Sequence, residues 1–275
     1  MRNKITLQEN IFIAGATGMV GGALKKSLIE KGYGNIKSGG KILTPTRNEL
    51  DLLNTSQVNS WFKLNKPTIT ILAAAKVGGI YANSKFPYDF LIENLKIQNN
   101  VINASWENGV KRFLFLGSSC IYPKYANQPI KEESLLDGKL EITNEGYALA
   151  KISGIKLCEA LRTQYGFDAI SLMPTNLYGP GDNYHPYNSH VMASLIRKFA
   201  EAKIKNYKTI TCWGTGKPLR EFMHVDDLAS AILHCLEYWC PNDINAPLDQ
   251  NGIPLNFLNV GTGLDISIKD LSQLI

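Results

Sequence analysis

Short apolar runs alternate along this chain with longer stretches in which apolar positions recur every three or four residues. Asn10-Ile11-Phe12-Ile13-Ala14, Lys41 to Arg47, Thr68 to Ala75, Arg112 to Gly117 and Asp168 to Pro174 read as strands, several of them β-branched and buried. Between them lie helical patterns: one through Leu24 and Leu28, one from about Tyr88 to Asn108, and one from Asn144 through Ala160. Such alternation predicts an α/β fold, a Rossmann-type doubly wound parallel sheet with helices on both faces. In that frame Arg112 to Gly117 counts as the fifth strand and Asp168 to Pro174 as the sixth.

After Pro174 the chain changes character. Thr175 to Asn183 and Tyr184 to His190 are rich in turn formers, ahead of a helix at about Val191 to Ala202. Thr209 to Gly216 reads as a strand and turn. Pro218 to Asp227 starts a return to the sheet, with Asp226 or Asp227 capping a helix that runs to Tyr238. Cys240 to Asn256 reads as a long exposed loop and Phe257 to Gly263 as a last short strand. Ser267-Ile268-Lys269-Asp270 resembles a capping box opening a helix that has no stop signal before Ile275. The expected division is a dinucleotide domain over residues 1–174, returning at about 202–240 and 256–275. Residues 175–201 and 241–255 would form a smaller, discontinuous α/β substrate lobe, incomplete at its C-terminal end.

Composition narrows the chemistry. The 275 residues are 44 % hydrophobic and 19 % charged, enough to bury a full core. The net charge of +5 is spread without blocks of like sign, which favours anionic small molecules over nucleic acid. Five cysteines without a CxxC pair fit a reducing, cytoplasmic setting. No apolar run is long enough for a membrane span, and the N-terminus lacks a signal-peptide core, so a soluble protein is expected. No metal site is expected.

The first strand leads into Gly15-Ala16-Thr17-Gly18-Met19-Val20-Gly21 and then a helix. In a nucleotide fold, the first glycine makes the turn, the second lets the backbone approach a pyrophosphate, and the third lets helix pack on strand. Arg47, at the end of the second strand, suits a 2′-phosphate and hence NADP, although Glu49 and Asp51 stand close by. Asp51 and Leu52 fall where an adenine packs in such folds, and the small Ala73-Ala74-Ala75 lets a ribose lie against the third strand. Ser118 and Cys120 follow a strand end, where a crevice forms, and alternation in an extended chain would face them the same way. Tyr147 and Lys151 share a helix face, and a nearby ammonium favours phenolate.

Glycine turn, serine after a strand, Tyr147-x-x-x-Lys151 and Arg220-Glu221-x-x-His224-Val225-Asp226-Asp227 together resemble the extended short-chain dehydrogenase/reductase superfamily. Within it, Gly15 to Gly21, Ala73 to Gly79, Leu116 to Lys124, Met173 to Pro180 and Asn188 to Val191 are similar to the GDP-L-fucose synthase family. The resemblance implies epimerisation of GDP-4-keto-6-deoxy-D-mannose at C3 and C5, then reduction at C4 by NADPH. It implies that Ser118 and Tyr147 bond the C4 oxygen, that Cys120 and His190 exchange protons at the flanking carbons, and that Lys151 holds the nicotinamide ribose. Leu116, Gly117, Pro174, Thr175, Asn176, Leu177 and His190 would complete the cofactor bed. Asn176, Lys198, Trp213 and Arg220 would meet the GDP-sugar, and a homodimer is implied. His224 reads as structural.

Three departures from the family stand out. Ala16-Thr17 replaces a frequent His-Arg, leaving NADP preference to Arg47. Gly146 stands where proline is frequent, loosening the helix start by about 1 kcal/mol. An acidic substrate contact of the family would fall beyond Ile275. The rival readings are another nucleotide-sugar epimerase or reductase of the superfamily, and an NADP-binding protein without turnover. Intact Ser118, Tyr147 and Lys151 count against the second.

Overall fold

The computed structural model describes residues 3–186 and 188–275. The chain begins with β1 (Asn10–Ala14), α1 (Met19–Glu30), β2 (Lys41–Leu43), α2 (Thr55–Asn65), β3 (Ile69–Leu72), α3 (Ile80–Lys85) and α4 (Pro87–Glu107). It continues through β4 (Arg112–Leu116), α5 (Glu145–Tyr165), β5 (Ala169–Pro174), β6 (Asn176–Tyr178) and α6 (Val191–Ile204). The last elements are β7 (Leu219–His224), α7 (Val225–Tyr238), β8 (Phe257–Val260), β9 (Asp265–Ser267) and α8 (Ile268–Leu274).

Six strands form one parallel sheet in the order β2-β1-β3-β4-β5-β8. Every residue of β3, β4 and β5 is buried, as expected of strands covered on both faces. The period of two sorts their side chains between two cores. Phe12, Phe113 and Phe115 face Phe62, Val101 and Ile155 on the side of α2, α4 and α5. Ile11, Ile13 and Leu114 face Leu24, Leu28, Leu228 and Ile232 on the side of α1 and α7. This is the doubly wound Rossmann-type architecture.

A second sheet, β6-β7-β9, pairs β6 with β7 in parallel and β7 with β9 antiparallel. Its apolar cluster joins Met192 and Leu195 of α6 to Leu271 of α8, with Tyr178 and Phe222 packed against them.

Several expectations need correction. Arg112–Leu116 and Ala169–Pro174 are the fourth and fifth strands, because each earlier strand is followed by helix and no further strand precedes them among the described residues. Leu219–His224 and Asp265–Ser267 do not return to the large sheet: in the small one Leu219–His224 pairs with β6 and Asp265–Ser267 pairs with Leu219–His224. Residues 209–216 form no strand, since they run almost wholly exposed beside no partner strand. The helix after β7 is capped by His224, whose Nδ1 accepts from the Asp226 N–H at 3.2 Å, rather than by either aspartate. Ser267 does cap α8, accepting from the Asp270 N–H at 3.0 Å. No helix among the described residues is long and apolar enough to cross a membrane.

One buried charge ties the sheet to its flanking helices. The fully buried Arg112 of β4 pairs with Asp168 and donates to the main-chain carbonyls of Cys235, at 3.2 Å, and Trp239. Asp168 also accepts from Arg162 of α5 at 2.5 Å. Removing one partner of a buried pair strands the other's charge. Asp168→Asn should therefore lower unfolding free energy by about 3 kcal/mol in urea titration; a loss under about 0.5 kcal/mol would show that the carbonyls alone satisfy Arg112.

Candidate active site

Lys151 fixes how α5 lies on the sheet. It is buried, and its Nζ donates to the Leu116 carbonyl, the last of β4, at 2.7 Å. Gly154 allows the close approach, because a Cβ there would fall 2.4 Å from the Phe115 ring. The Gln98 amide of α4 secures the same stretch, donating to the Ala150 carbonyl at 2.6 Å. The Lys151 ammonium sits 4.8 Å from the Phe115 ring centre and 5.8 Å from that of Tyr147. Burial lowers its pKa to about 8.

Past Leu116 the chain does not stay extended. Gly117 passes so close to Met173 that a Cβ would meet its sulfur at 2.2 Å. Ser118 then caps a single 3₁₀ turn, Ser119–Ile121, its Oγ accepting from the Cys120 N–H at 3.3 Å. Ser118 and Cys120 come together through this turn and not through strand alternation. Cys120 Sγ accepts from the Asn144 amide at 3.2 Å. Burial raises the thiol pKa, opposed by the Ser118 hydroxyl, the Arg220 guanidinium and Asn144 in that order.

Burial also pushes the Tyr147 phenol well above its ordinary value, and the neighbouring Cys120 adds to the rise while the Ser118 hydroxyl opposes it. The expected lowering by Lys151 does not appear, because burial dominates both groups. Ser118, Cys120, Tyr147 and Lys151 are thus gathered at the C-terminal end of β4, and Arg220, near the start of β7, is close enough to act on the Cys120 thiol.

His190 opens α6. It is exposed by surface area, yet enough protein surrounds it that burial lowers its pKa, against the pull of Asp182. A loop after β3 reaches the same place. Asn94 of α4 brackets Lys76, accepting from its N–H at 2.9 Å and donating to its carbonyl at 3.0 Å. Asn83 of α3 donates to the Gly78 and Gly79 carbonyls at 2.7 and 3.1 Å. Gly79 in turn donates to the Asn188 carbonyl at 3.2 Å, and a Cβ on it would meet the Ser189 carbonyl at 2.7 Å. Sequence reasoning missed Asn83 and Asn94 as loop clamps; the signal for Asn94 was asparagine recurring with Asn99 and Asn100 in an otherwise apolar helix pattern, and Asn83 had none.

The glycine turn has the shape a dinucleotide needs. Gly15 has φ +89°, and a Cβ on it would come within 2.8 Å of the Ala74 backbone. A Cβ on Gly21 would lie 2.2 Å from the Gly15 carbonyl, so α1 packs directly on the turn. Gly18 is not crowded by protein in this way, its nearest contact being 3.5 Å, and it opens α1 without a side-chain cap. Packing explains Gly15 and Gly21; Gly18 is left free of protein, with the open backbone that a pyrophosphate would need to approach. Ala16, Thr17, Met19 and Val20 complete this segment, with Ala73 and Ala75 at the end of β3 beside it.

Arg47 is exposed in the loop after β2. The two nearby acids are engaged locally: Glu49 accepts from the Thr46 N–H and hydroxyl at 2.7 and 2.9 Å, and Asp51 from the Leu53 N–H at 3.1 Å. Asn100 of α4 holds the same segment by donating to the Leu52 carbonyl at 2.8 Å. These residues fit a nicotinamide dinucleotide carrying a 2′-phosphate.

Thr175 and Asn176, just past Pro174, both donate to the Glu221 carbonyl, at 3.0 and 2.9 Å, and so fasten the end of β5 to β7. Leu177 packs partly into the α1 and α7 core. Lys198 of α6 places its Nζ 4.7 Å from the centre of the exposed Trp213 ring, so these two candidates meet each other. Gly146 has a packing reason of its own: a Cβ there would fall 2.9 Å from the Pro87 carbonyl at the start of α4. His224 remains structural, as the α7 cap and edge-on to Tyr178 at 5.3 Å.

Residues 11–246 match the model of the NAD dependent epimerase/dehydratase family. Probable GDP-L-fucose synthase 1 of Oryza sativa subsp. japonica is 51 % identical over 266 residues, covering 96 % of this chain and 75 % of the relative. GDP-L-fucose synthase of Escherichia coli (strain K12) is 48 % identical over 272 residues, 98 % of this chain and 80 % of the relative. Among solved structures, the GDP-mannoheptose C4 reductase from Campylobacter jejuni with NADP bound superposes with TM-score 0.83 at 37 % identity, covering 98 % of this chain and 83 % of that one. With its dinucleotide turn, its paired tyrosine and lysine and this degree of identity, the chain belongs to the NAD-dependent epimerase/dehydratase family, in the GDP-L-fucose synthase branch.

Proposed function

We propose that this chain converts GDP-4-keto-6-deoxy-D-mannose to GDP-L-fucose, epimerising C3 and C5 and then reducing C4. The observation that carries the reading is the cluster of Ser118, Cys120, Tyr147 and Lys151 at the end of β4 in a chain about half identical to GDP-L-fucose synthases. NADP is the cofactor, and when bound in reduced form it supplies the hydride for C4.

A proton beside a ketone becomes removable when the enolate oxygen is stabilised. Ser118 and Tyr147 donate hydrogen bonds to the C4 oxygen, and Cys120 and His190 exchange protons at the two flanking carbons. A phenol held protonated by burial is suited to donating first a hydrogen bond and finally its proton to that oxygen. Lys151 holds the nicotinamide ribose, Arg47 meets the 2′-phosphate, and the turn from Gly15 to Gly21 takes the pyrophosphate. The GDP-sugar lies between these strand ends and the small lobe of β6, β7, β9 and α6. There Arg220 takes the diphosphate, with Asn176, Lys198 and Trp213 as further contacts.

A homodimer through α4 and α5 is supported by the exposure of Tyr88 and Leu149 on these neighbouring helices, and sedimentation reads it directly. Five free cysteines, Cys212 among them exposed, support a reducing cytoplasmic setting.

Supplying GDP-4-keto-6-deoxy-D-mannose and NADPH in deuterated water should oxidise NADPH and give GDP-L-fucose with deuterium at C3 and C5. A product reduced at C4 without deuterium at either carbon would mark a simple reductase and overturn the epimerase assignment. Arg47→Ala should raise the KM for NADPH about tenfold with little change for NADH, the worth of a charge-assisted phosphate contact; equal effects on both cofactors would place the 2′-phosphate elsewhere. Lys151 has a folded pKa of about 8 against 10.5 for the ordinary side chain. The unfolded chain then binds more protons between those values, so this group adds stability as pH rises through the window. Lys151→Met should abolish that gain when urea unfolding is compared at pH 8 and pH 10; identical pH slopes would refute it.

A further inference from the structure

Asn144 occupies the position just before α5, where an asparagine side chain ordinarily accepts from a backbone N–H of the first helical turn. Asn54 does this ahead of α2, accepting from the Gln57 N–H at 3.0 Å. Asn144 does not: α5 begins with no side-chain cap. Its Nδ2 instead donates to Cys120 Sγ at 3.2 Å, and its Oδ1 is buried without a partner among the described residues. A forgone cap and an unpaired buried acceptor both fall on one amide. Local rules are broken in this way where a site requires it.

We propose that Asn144 is a positioning residue for proton exchange: its amide N–H holds the Cys120 side chain in place and donates to the sulfur that faces the sugar. The proposal rests on the role given above to Cys120. Three groups beside the amide also act on the thiol: Ser118 in its own turn, Tyr147 on α5 and Arg220 on β7. Asn144 differs from them in that its side chain makes no other hydrogen bond among the described residues. A thiol is a poor base until it loses its proton, and a donor aimed at sulfur favours the thiolate.

The test follows iodoacetamide labelling of Cys120 against pH in the full chain, read on the Cys120 peptide by mass spectrometry, for the parent, Asn144→Ala and Asn144→Asp. Asn144→Asp keeps the shape and removes the donor. Both variants should raise the labelling midpoint by about one pH unit. Both should also slow deuterium uptake into the keto sugar about tenfold while NADPH binding, measured by fluorescence, stays at the parent value. A midpoint unmoved in both variants overturns the proposal, whatever happens to turnover. Deuterium uptake that survives Cys120→Ser at both carbons overturns the role of Cys120 and the positioning role with it, which separates failure of that earlier reading from failure of the Asn144 contact.

Discussion

The bond from Lys151 to the last carbonyl of β4 sets the geometry on which the rest of the site depends. A lysine taken out of water needs a strong acceptor, and a strand-end carbonyl is one of the few the interior offers. Once that bond is made, Tyr147, one turn earlier in α5, is carried over the strand end, and the chain beyond Leu116 can only turn beneath it. Gly117, the Ser118 cap and the 3₁₀ turn that follows bring the hydroxyl and thiol back toward the phenol. The same arrangement dries the phenol and the ammonium, which moves their pKa values in opposite directions.

Much of this was legible because it is local. The glycine turn, the long α4 and α5, the start of α6 and the Ser267 cap of α8 follow from spacing and turn chemistry within a few residues. Strand membership was not: whether Leu219–His224 joins the large or the small sheet is decided by partners distant in sequence. Residues 209–216 carry strand-like composition yet find no neighbour to pair with, so propensity had nothing to act on. Charge patterning suggested a lysine lowering a phenol, but burial raises the phenol instead, and burial can be known only from packing. The aspartates after β7 looked like caps until His224 proved to stand in the capping position.

The two sheets meet at Glu221. Its carbonyl accepts from Thr175 and Asn176, and its carboxylate accepts from the N–H groups of Thr262 and Gly263, the latter at 2.8 Å. A single residue of β7 thus fastens the strand that leaves the large sheet and the turn that leads into β9. Arg220 stands beside it on the same strand, so a cation that acts on the thiol is carried by a segment anchored on both sides.

The loop after β3 extends that logic to the other wall of the crevice. Two buried amides, Asn83 and Asn94, hold it from behind, and Gly79 touches the main chain shortly before His190. The main chain just ahead of His190 is therefore held from the loop after β3, although the two are far apart in sequence. The position of His190 is an inheritance from side chains with no chemistry of their own, and, on the role proposed for His190, drift in those two amides would be felt first as a misaligned proton, long before it was felt as an unstable fold.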